Sequence, residues 1–227
     1  MISINSLSKS YGKNKVLDGI NLCFKKGEVH GIVGKNGSGK STLFKCMLNL
    51  ESSKGTIELD SNKKLKDISG YLPTNPPILT KITGTEYLRL LCSARGLKFN
   101  RKELENIFDL LVQEECIETY STGMLKKLAL MGILAQQNEV FILDEPFNGL
   151  DYQSCLILTA LLLRMKELGK TVIISSHIFS TLNESCDFIH YLDNGVISQT
   201  AQKANFTEIE QTLQRELIGD KLSKLKF

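Results

Sequence analysis

Gly34-Lys35-Asn36-Gly37-Ser38-Gly39-Lys40-Ser41 follows the apolar run EVHGIV (28–33) and precedes a stretch that reads as a helix to about Asn49. The octet fits the pattern GxxxxGK(S/T), and a strand before it with a helix after it is the context its chemistry requires. Small residues let backbone N–H groups converge on phosphate oxygens, while the helix amino terminus adds favourable dipole potential. In that arrangement Lys40 neutralises the β- and γ-phosphates and the Ser41 hydroxyl ligates Mg²⁺. Gly34, Asn36, Gly37, Ser38, Gly39, Lys40, Ser41 and Thr42 are therefore the candidate nucleotide-binding residues.

Upstream, ISINSL (2–7) and VLDGINLCF (16–24) are punctuated by Gly12, Gly19 and Gly27, which predicts a small, mainly antiparallel sheet feeding a parallel strand. Downstream, TIELD (56–60) resumes strand character after Gly55, and Pro73, Pro76 and Pro77 forbid a regular element in YLPTNPPILTKITG (71–84). Thr83 with Glu86 predicts a capping box opening a helix that ends near Gly96. Leu104, Ile107, Phe108 and Leu111 predict a second helix over 101–113, and a third begins just after Ser121.

The α/β pattern then returns. VFIL (140–143) and TVIISS (171–176) read as buried parallel strands, Tyr152 to Leu168 as a helix stopped by Gly169, and FIHYLDNGVIS (188–198) as a hairpin turning at Asn194-Gly195. Three helices between two parts of an α/β pattern predict an inserted helical lobe over 76–136, with 1–75 and 137–200 forming the core. Residues 201–227 carry five basic and four acidic side chains, and Ile209, Leu213 and Leu217 share one helix face, which predicts a docked terminal helix. The expected fold class is α/β: a P-loop NTPase core with a mostly parallel sheet, a small antiparallel β subdomain and an inserted helical subdomain, within one domain.

Asp144-Glu145 directly follows VFIL, which places two carboxylates at the carboxyl end of a buried strand, where doubly wound sheets present their ligands. Asp144 suits the metal, directly or through water; Glu145 suits the attacking water, as general base or positioning group. His177 ends TVIISSH and should emerge on the same sheet edge, within reach of a γ-phosphate. His30 and His190 lie in strand-like runs without such company and read as ordinary packed or surface residues.

Composition narrows the classes. Hydrophobic residues make up 42% and charged residues 23% of 227, and a formal net charge of +3 without a strong basic run gives no reason to expect nucleic acid. The six cysteines stand singly in apolar stretches, which predicts reduced, mostly buried thiols. The amino terminus MISINSLSKSYG lacks the apolar core of a secretion signal, so a cytoplasmic location is expected. The longest strongly apolar stretch, Cys155 to Leu163, is far short of the roughly 20 residues that cross a bilayer. Any membrane role is peripheral, through a partner.

Tyr120-Ser121-Thr122-Gly123-Met124 lies between the two phosphate-site elements, just before a helix. It resembles the signature sequence of the ABC ATPases, usually written LSGGQ. With Tyr11 upstream, Asn148-Gly149-Leu150-Asp151 after the acidic pair and His177 at the end, the resemblance to an ABC transporter ATP-binding subunit covers nearly the whole chain. It implies a head-to-tail dimer, with itself or with a second ABC ATPase, burying two ATP molecules and Mg²⁺. Each ATP is held by one subunit's phosphate-site residues and by Ser121, Thr122 and Gly123 of the other. It further implies that Tyr11 stacks on adenine, Val16 packs beside sugar and base, and Asp151 belongs to the D-loop. The partner implied is an integral membrane permease, driven from its cytoplasmic face.

Two departures stand out. Thr74 occupies the loop position where the family commonly carries Gln; its shorter reach favours a bridging water over direct Mg²⁺ ligation. Thr122 and Met124 replace Gly and Gln, and the form YSxGM is similar to that of exporter-type ATPases, which makes export the expected direction. The alternatives are a soluble ABC-type ATPase of a cluster-assembly or repair complex, and a P-loop kinase. The signature, Asp151 and His177 disfavour the kinase.

Overall fold

Alternate residues of Val140-Phe141-Ile142-Leu143 enter two different cores: Val140 and Ile142 pack on one side, Phe141 and Leu143 on the other. That period of two, with every residue buried, is the behaviour of a parallel strand covered on both faces. The computed structural model describes residues 1–77, 79–100, 107–108 and 116–223. Its larger sheet runs β5(Ser69–Leu72), β6(Val140–Asp144), β7(Thr171–Ser176), β3(Val29–Val33), β8(Phe188–Asp193), β9(Val196–Gln202). The first five are mutually parallel, and β9 returns antiparallel to β8. Asn194 and Gly195 both have positive φ, 45° and 80°, as the tight turn between β8 and β9 requires.

A second, antiparallel sheet orders β2(Asn14–Phe24), β1(Ile2–Tyr11), β4(Lys54–Leu59). Its inward residues Ile2, Ile4, Leu7, Leu17 and Ile20 share one core with Leu43, Phe44 and Met47 of α1(Lys40–Met47). This core anchors α1, and hence the glycine-rich loop, between the two sheets.

On the other face, α3(Gly84–Ser93) and α4(Thr122–Ala135) lie in sequence between β5 and β6. The capping box forms as expected: the Thr83 hydroxyl accepts the Glu86 N–H at 3.2 Å, and the Glu86 carboxylate accepts the Thr83 N–H at 2.7 Å. α3 ends three residues before the expected Gly96. The helix expected over 101–113 lies outside the described residues. Following β6, α5(Tyr152–Glu167) runs to Leu168 and Gly169, which has φ 69°. Finally α7(Phe206–Ser223) places Phe206, Ile209 and Leu213 in the core, with Phe206 edge-on to Phe179.

Two short helices, α2(Leu65–Ile68) and α6(Ser180–Asn183), had no signal in the periodicity, since one helical turn is too short to show a repeat. The cysteines correct the expectation of mostly buried thiols. Cys46, Cys92 and Cys186 are buried, but Cys23 and Cys116 are exposed and Cys155 is intermediate. Cys23 alternates with inward Leu22 and Phe24 on β2 and so faces outward. The two histidines read as ordinary are both buried: His30 and His190 stack with centroids 5.5 Å apart, and their ring nitrogens approach to 3.2 Å.

Candidate nucleotide site

The loop from β3 to α1 is shaped by close approach. A Cβ on Gly34 would fall inside contact distance of the Leu192 carbonyl and 2.6 Å from the Ser38 hydroxyl. Gly39, the residue before α1, has φ 111°, and a Cβ there would meet Leu17 at 2.8 Å. No side chain caps α1, so its first N–H groups are left for another acceptor. The Ser38 hydroxyl is buried without a hydrogen-bond partner. Lys40, itself buried, donates to the carbonyls of Gly34 at 2.7 Å and Lys35 at 3.1 Å, and its ammonium lies 3.3 Å from Glu145 Oε1.

At the carboxyl end of β6, Asp144 accepts two hydroxyl protons: from Ser175 at Oδ1 (2.6 Å) and from Thr74 at Oδ2 (2.8 Å). Glu145 is buried with φ 51°, a left-handed backbone at a non-glycine residue. Its N–H donates to Ser175 Oγ at 2.9 Å, and its Oε2 stands 2.9 Å from His177 Nδ1. The expected shared edge of Asp144, Glu145 and His177 is therefore present, and Thr74 joins it directly. Glu145, His177, Thr74, Lys40, Ser41, Thr42, Asn36, Gly37, Gly39 and Val16 line one cavity of about 410 Å³, together with Asn148.

Tyr11 does not line that cavity; it sits at the β1–β2 turn opposite Asn14, 45% exposed, with the Lys9 ammonium 4.7 Å from its ring centroid. Nor do Ser121, Thr122, Gly123 and Asp151. Ser121 caps α4 by accepting the Met124 N–H at 3.2 Å, and Asp151 caps α5 by accepting the Ser154 N–H at 2.8 Å. These two helix starts abut: a Cβ on Gly123 would lie 2.8 Å from the Gly149 carbonyl, and Lys127 pairs with Asp151 at 2.8 Å. The Lys127 bond, reinforced by Ser154, holds the Asp151 carboxyl well below the usual range.

Two polar residues of this region were missed in the sequence. Ser175 had a signal, a hydroxyl directly after the apolar run Val172-Ile173-Ile174 of a buried strand. Lys126 had one too: Ala129, Leu130 and Ile133, at i+3, i+4 and i+7, are all buried, so Lys126 shares an inward helix face. Its buried ammonium donates to the carbonyls of Glu145 at 2.9 Å and Asn148 at 2.7 Å. Burial lowers its pKa from the ordinary lysine value, while Glu145 and Asp144 act in the opposite sense.

A glycine-shaped phosphate loop after β3 of a parallel sheet, with paired carboxylates at the end of β6 on the far side of β7, defines a P-loop nucleotide-binding protein. The sequence pattern described as ABC transporter matches residues 17–148. A lantibiotic transport ATP-binding protein, SrtF of Streptococcus pyogenes, is 29% identical over 97% of this chain and 99% of its own length. A manganese transport system ATP-binding protein, MntB of Listeria innocua, is 33% identical over 91% of this chain and 92% of its own. A solved structure, the ATP binding subunit of an ABC transporter, superposes with a TM-score of 0.85 at 25% identity, over 96% of this chain and 99% of that one. The chain belongs to the ABC transporter family, as an ATP-binding ATPase subunit. Among the described residues no helix is long and apolar enough to cross a membrane.

Proposed function

We propose that this subunit hydrolyses ATP-Mg at composite sites between two ABC ATPase chains and so drives a membrane permease, in the direction of export. The observation that carries the reading is the separation of two half-sites on one chain. The phosphate cavity is lined without Ser121, Thr122, Gly123 or Asp151, while those residues sit together at two adjoining capped helix starts. A second chain, presented head to tail, brings the amino end of its α4 to the phosphates held by the first.

Within each site Lys40 exchanges its carbonyl and Glu145 contacts for phosphate oxygens, and the N–H groups of the loop and of α1 supply the remaining donors. The orphaned Ser38 hydroxyl and the uncapped α1 fit an anion. Ser41 and Asp144 are the oxygen donors fitted to Mg²⁺. Mg²⁺ takes one or two protein ligands beside phosphates and waters, which is the number this pair supplies. Bound there, Mg²⁺ neutralises charge on the β- and γ-oxygens. Glu145 orients and deprotonates the attacking water, and His177 holds Glu145 and reaches toward the γ-phosphate. Tyr11 and Val16 flank the base. The division into a core of 1–75 and 137–200, a lobe over 76–136 and a tail over 201–227 follows from the same reading, with the lobe and the proline-rich loop contacting the permease.

The form YSTGM supports export. The test is co-purification of the tagged chain from detergent-solubilised native membranes, with mass spectrometry of stoichiometric partners. A multi-span integral protein is the expected result; soluble partners alone would overturn the transporter reading in favour of an assembly complex.

A further inference from the structure

Ser175 has no role in the reading above, yet its hydroxyl touches both carboxylate residues. It stands opposite Asp144 in the β6–β7 register, fully buried. A serine hydroxyl has one proton and accepts through its lone pairs. Here it accepts the Glu145 N–H at 2.9 Å, and its proton goes to Asp144 Oδ1 at 2.6 Å. Each bond orients the other, so the hydroxyl is a link of fixed polarity between the two residues.

We propose that Ser175 is a positioning residue for metal-dependent hydrolysis, a role that rests on the function proposed above. By occupying Oδ1 it leaves Oδ2 as the Asp144 oxygen offered to the cation. Thr74 holds Oδ2 at 2.8 Å, so the proline-flanked loop shares or yields that oxygen when the cation arrives. By accepting the Glu145 N–H, Ser175 also holds that peptide in its left-handed conformation, while His177, two residues along, takes the Glu145 side chain through its N–H at 3.3 Å and its ring at 2.9 Å. The end of β7 therefore sets the metal carboxylate through one side chain and the base through two.

The test compares Ser175→Ala, Ser175→Cys and Ser175→Thr with the unmodified chain. It measures affinity for a fluorescent ATP analogue with and without Mg²⁺, the Mg²⁺ concentration for half-maximal binding and for turnover, and kcat and KM. Losing one buried hydrogen-bonded link is worth about one factor of ten. In Ser175→Ala the Mg²⁺ requirement should rise about ten-fold and kcat fall about ten-fold, with metal-free nucleotide affinity within about two-fold of the original. Ser175→Cys, which keeps the volume but has a weak donor, should fall between, and Ser175→Thr, which keeps the hydroxyl, should restore both. If Ala or Cys lowers the melting temperature yet preserves Mg²⁺ dependence and kcat, Ser175 is a core residue only and the inference is wrong. Should Ala fail to fold, the Cys and Thr pair decides by the same readouts. If the unmodified chain neither binds nor hydrolyses ATP-Mg, the function proposed above fails instead.

Discussion

The phosphate cavity and the edge carrying Ser121 and Asp151 are built in opposite ways. Lys40 and Glu145 of the cavity, and Asp144 adjoining it through Thr74, are buried, and each is held by at least two protein groups. At the edge Ser121 and Asp151 are exposed, each holding a single helix start, with Lys127 beside them. A buried, pre-bonded site keeps its geometry before the ligand arrives, whereas an exposed helix start costs little to leave open and gains an acceptor when a partner supplies one. The first half is legible as chemistry within one chain; the second shows only helix caps within this chain, and its chemistry rests on the proposed pairing with another.

The most severe way to break the contrast is to disable the buried half. Glu145→Gln should lower turnover by about 10²–10⁴, the usual range for a general base, while retaining ATP and accumulating as an ATP-bound dimer in size-exclusion chromatography. A variant that stays monomeric at saturating ATP, beside an active parent, would contradict the exposed half as a partner surface. Next in size is the buried tie between the halves. Lys126→Met removes the ammonium that α4 sends to the carbonyls of Glu145 and Asn148. One buried and one part-buried acceptor lose their partner, at about 1–3 kcal/mol. A lower melting temperature with reduced kcat is expected; full activity at unchanged stability would show that the two regions need no such link.

The histidine pair sharpens the comparison from outside both regions. Burial lowers His30 to about 4 and His190 to about 3, so both are neutral in the fold and gain protons on unfolding below the ordinary value. Asp187 opposes the shift of His30 and Lys25 adds to it, and the Glu28 carboxylate lies 3.3 Å from the ring. The unfolded chain then binds more protons between about pH 6.5 and 4, so stability is full above that window and falls as pH drops through it. At pH 5 the loss from His30 alone is on the order of 2 kcal/mol. Denaturant melts from pH 7.5 to 5 should show this slope, and His30→Gln should flatten it. The smallest effect belongs to the loop. Thr74→Gln should leave ATP binding intact and alter turnover by a factor of about 3, since Gln still donates a hydrogen bond toward Asp144. Abolished binding would show that ATP affinity itself, and not turnover alone, depends on this loop.

The sequence reveals the cavity far better than the edge, for physical reasons. Glycines needed by backbone geometry, a lysine and a hydroxyl at fixed spacing, and carboxylates after an apolar run are local features. The pairing of Gly123 with Gly149, of Lys126 with the Glu145 carbonyl, and of Ser175 with Asp144 depends on contacts between elements far apart in the chain, which no periodicity encodes. The exposed cysteines show the same gap: Cys23 alternates outward on a strand whose register only pairing fixes.

Glu145 occupies a backbone conformation that glycine adopts freely and a side-chain-bearing residue adopts at a cost of about 1–3 kcal/mol. A library of this chain ranked by heat resistance alone weighs the strain relieved by Glu145→Gly against the lost contacts with Lys40 and His177, and gives the chemistry of the carboxylate no weight. Directed evolution toward thermal robustness therefore has to be screened for turnover in the same round, because stability alone does not select for this side chain.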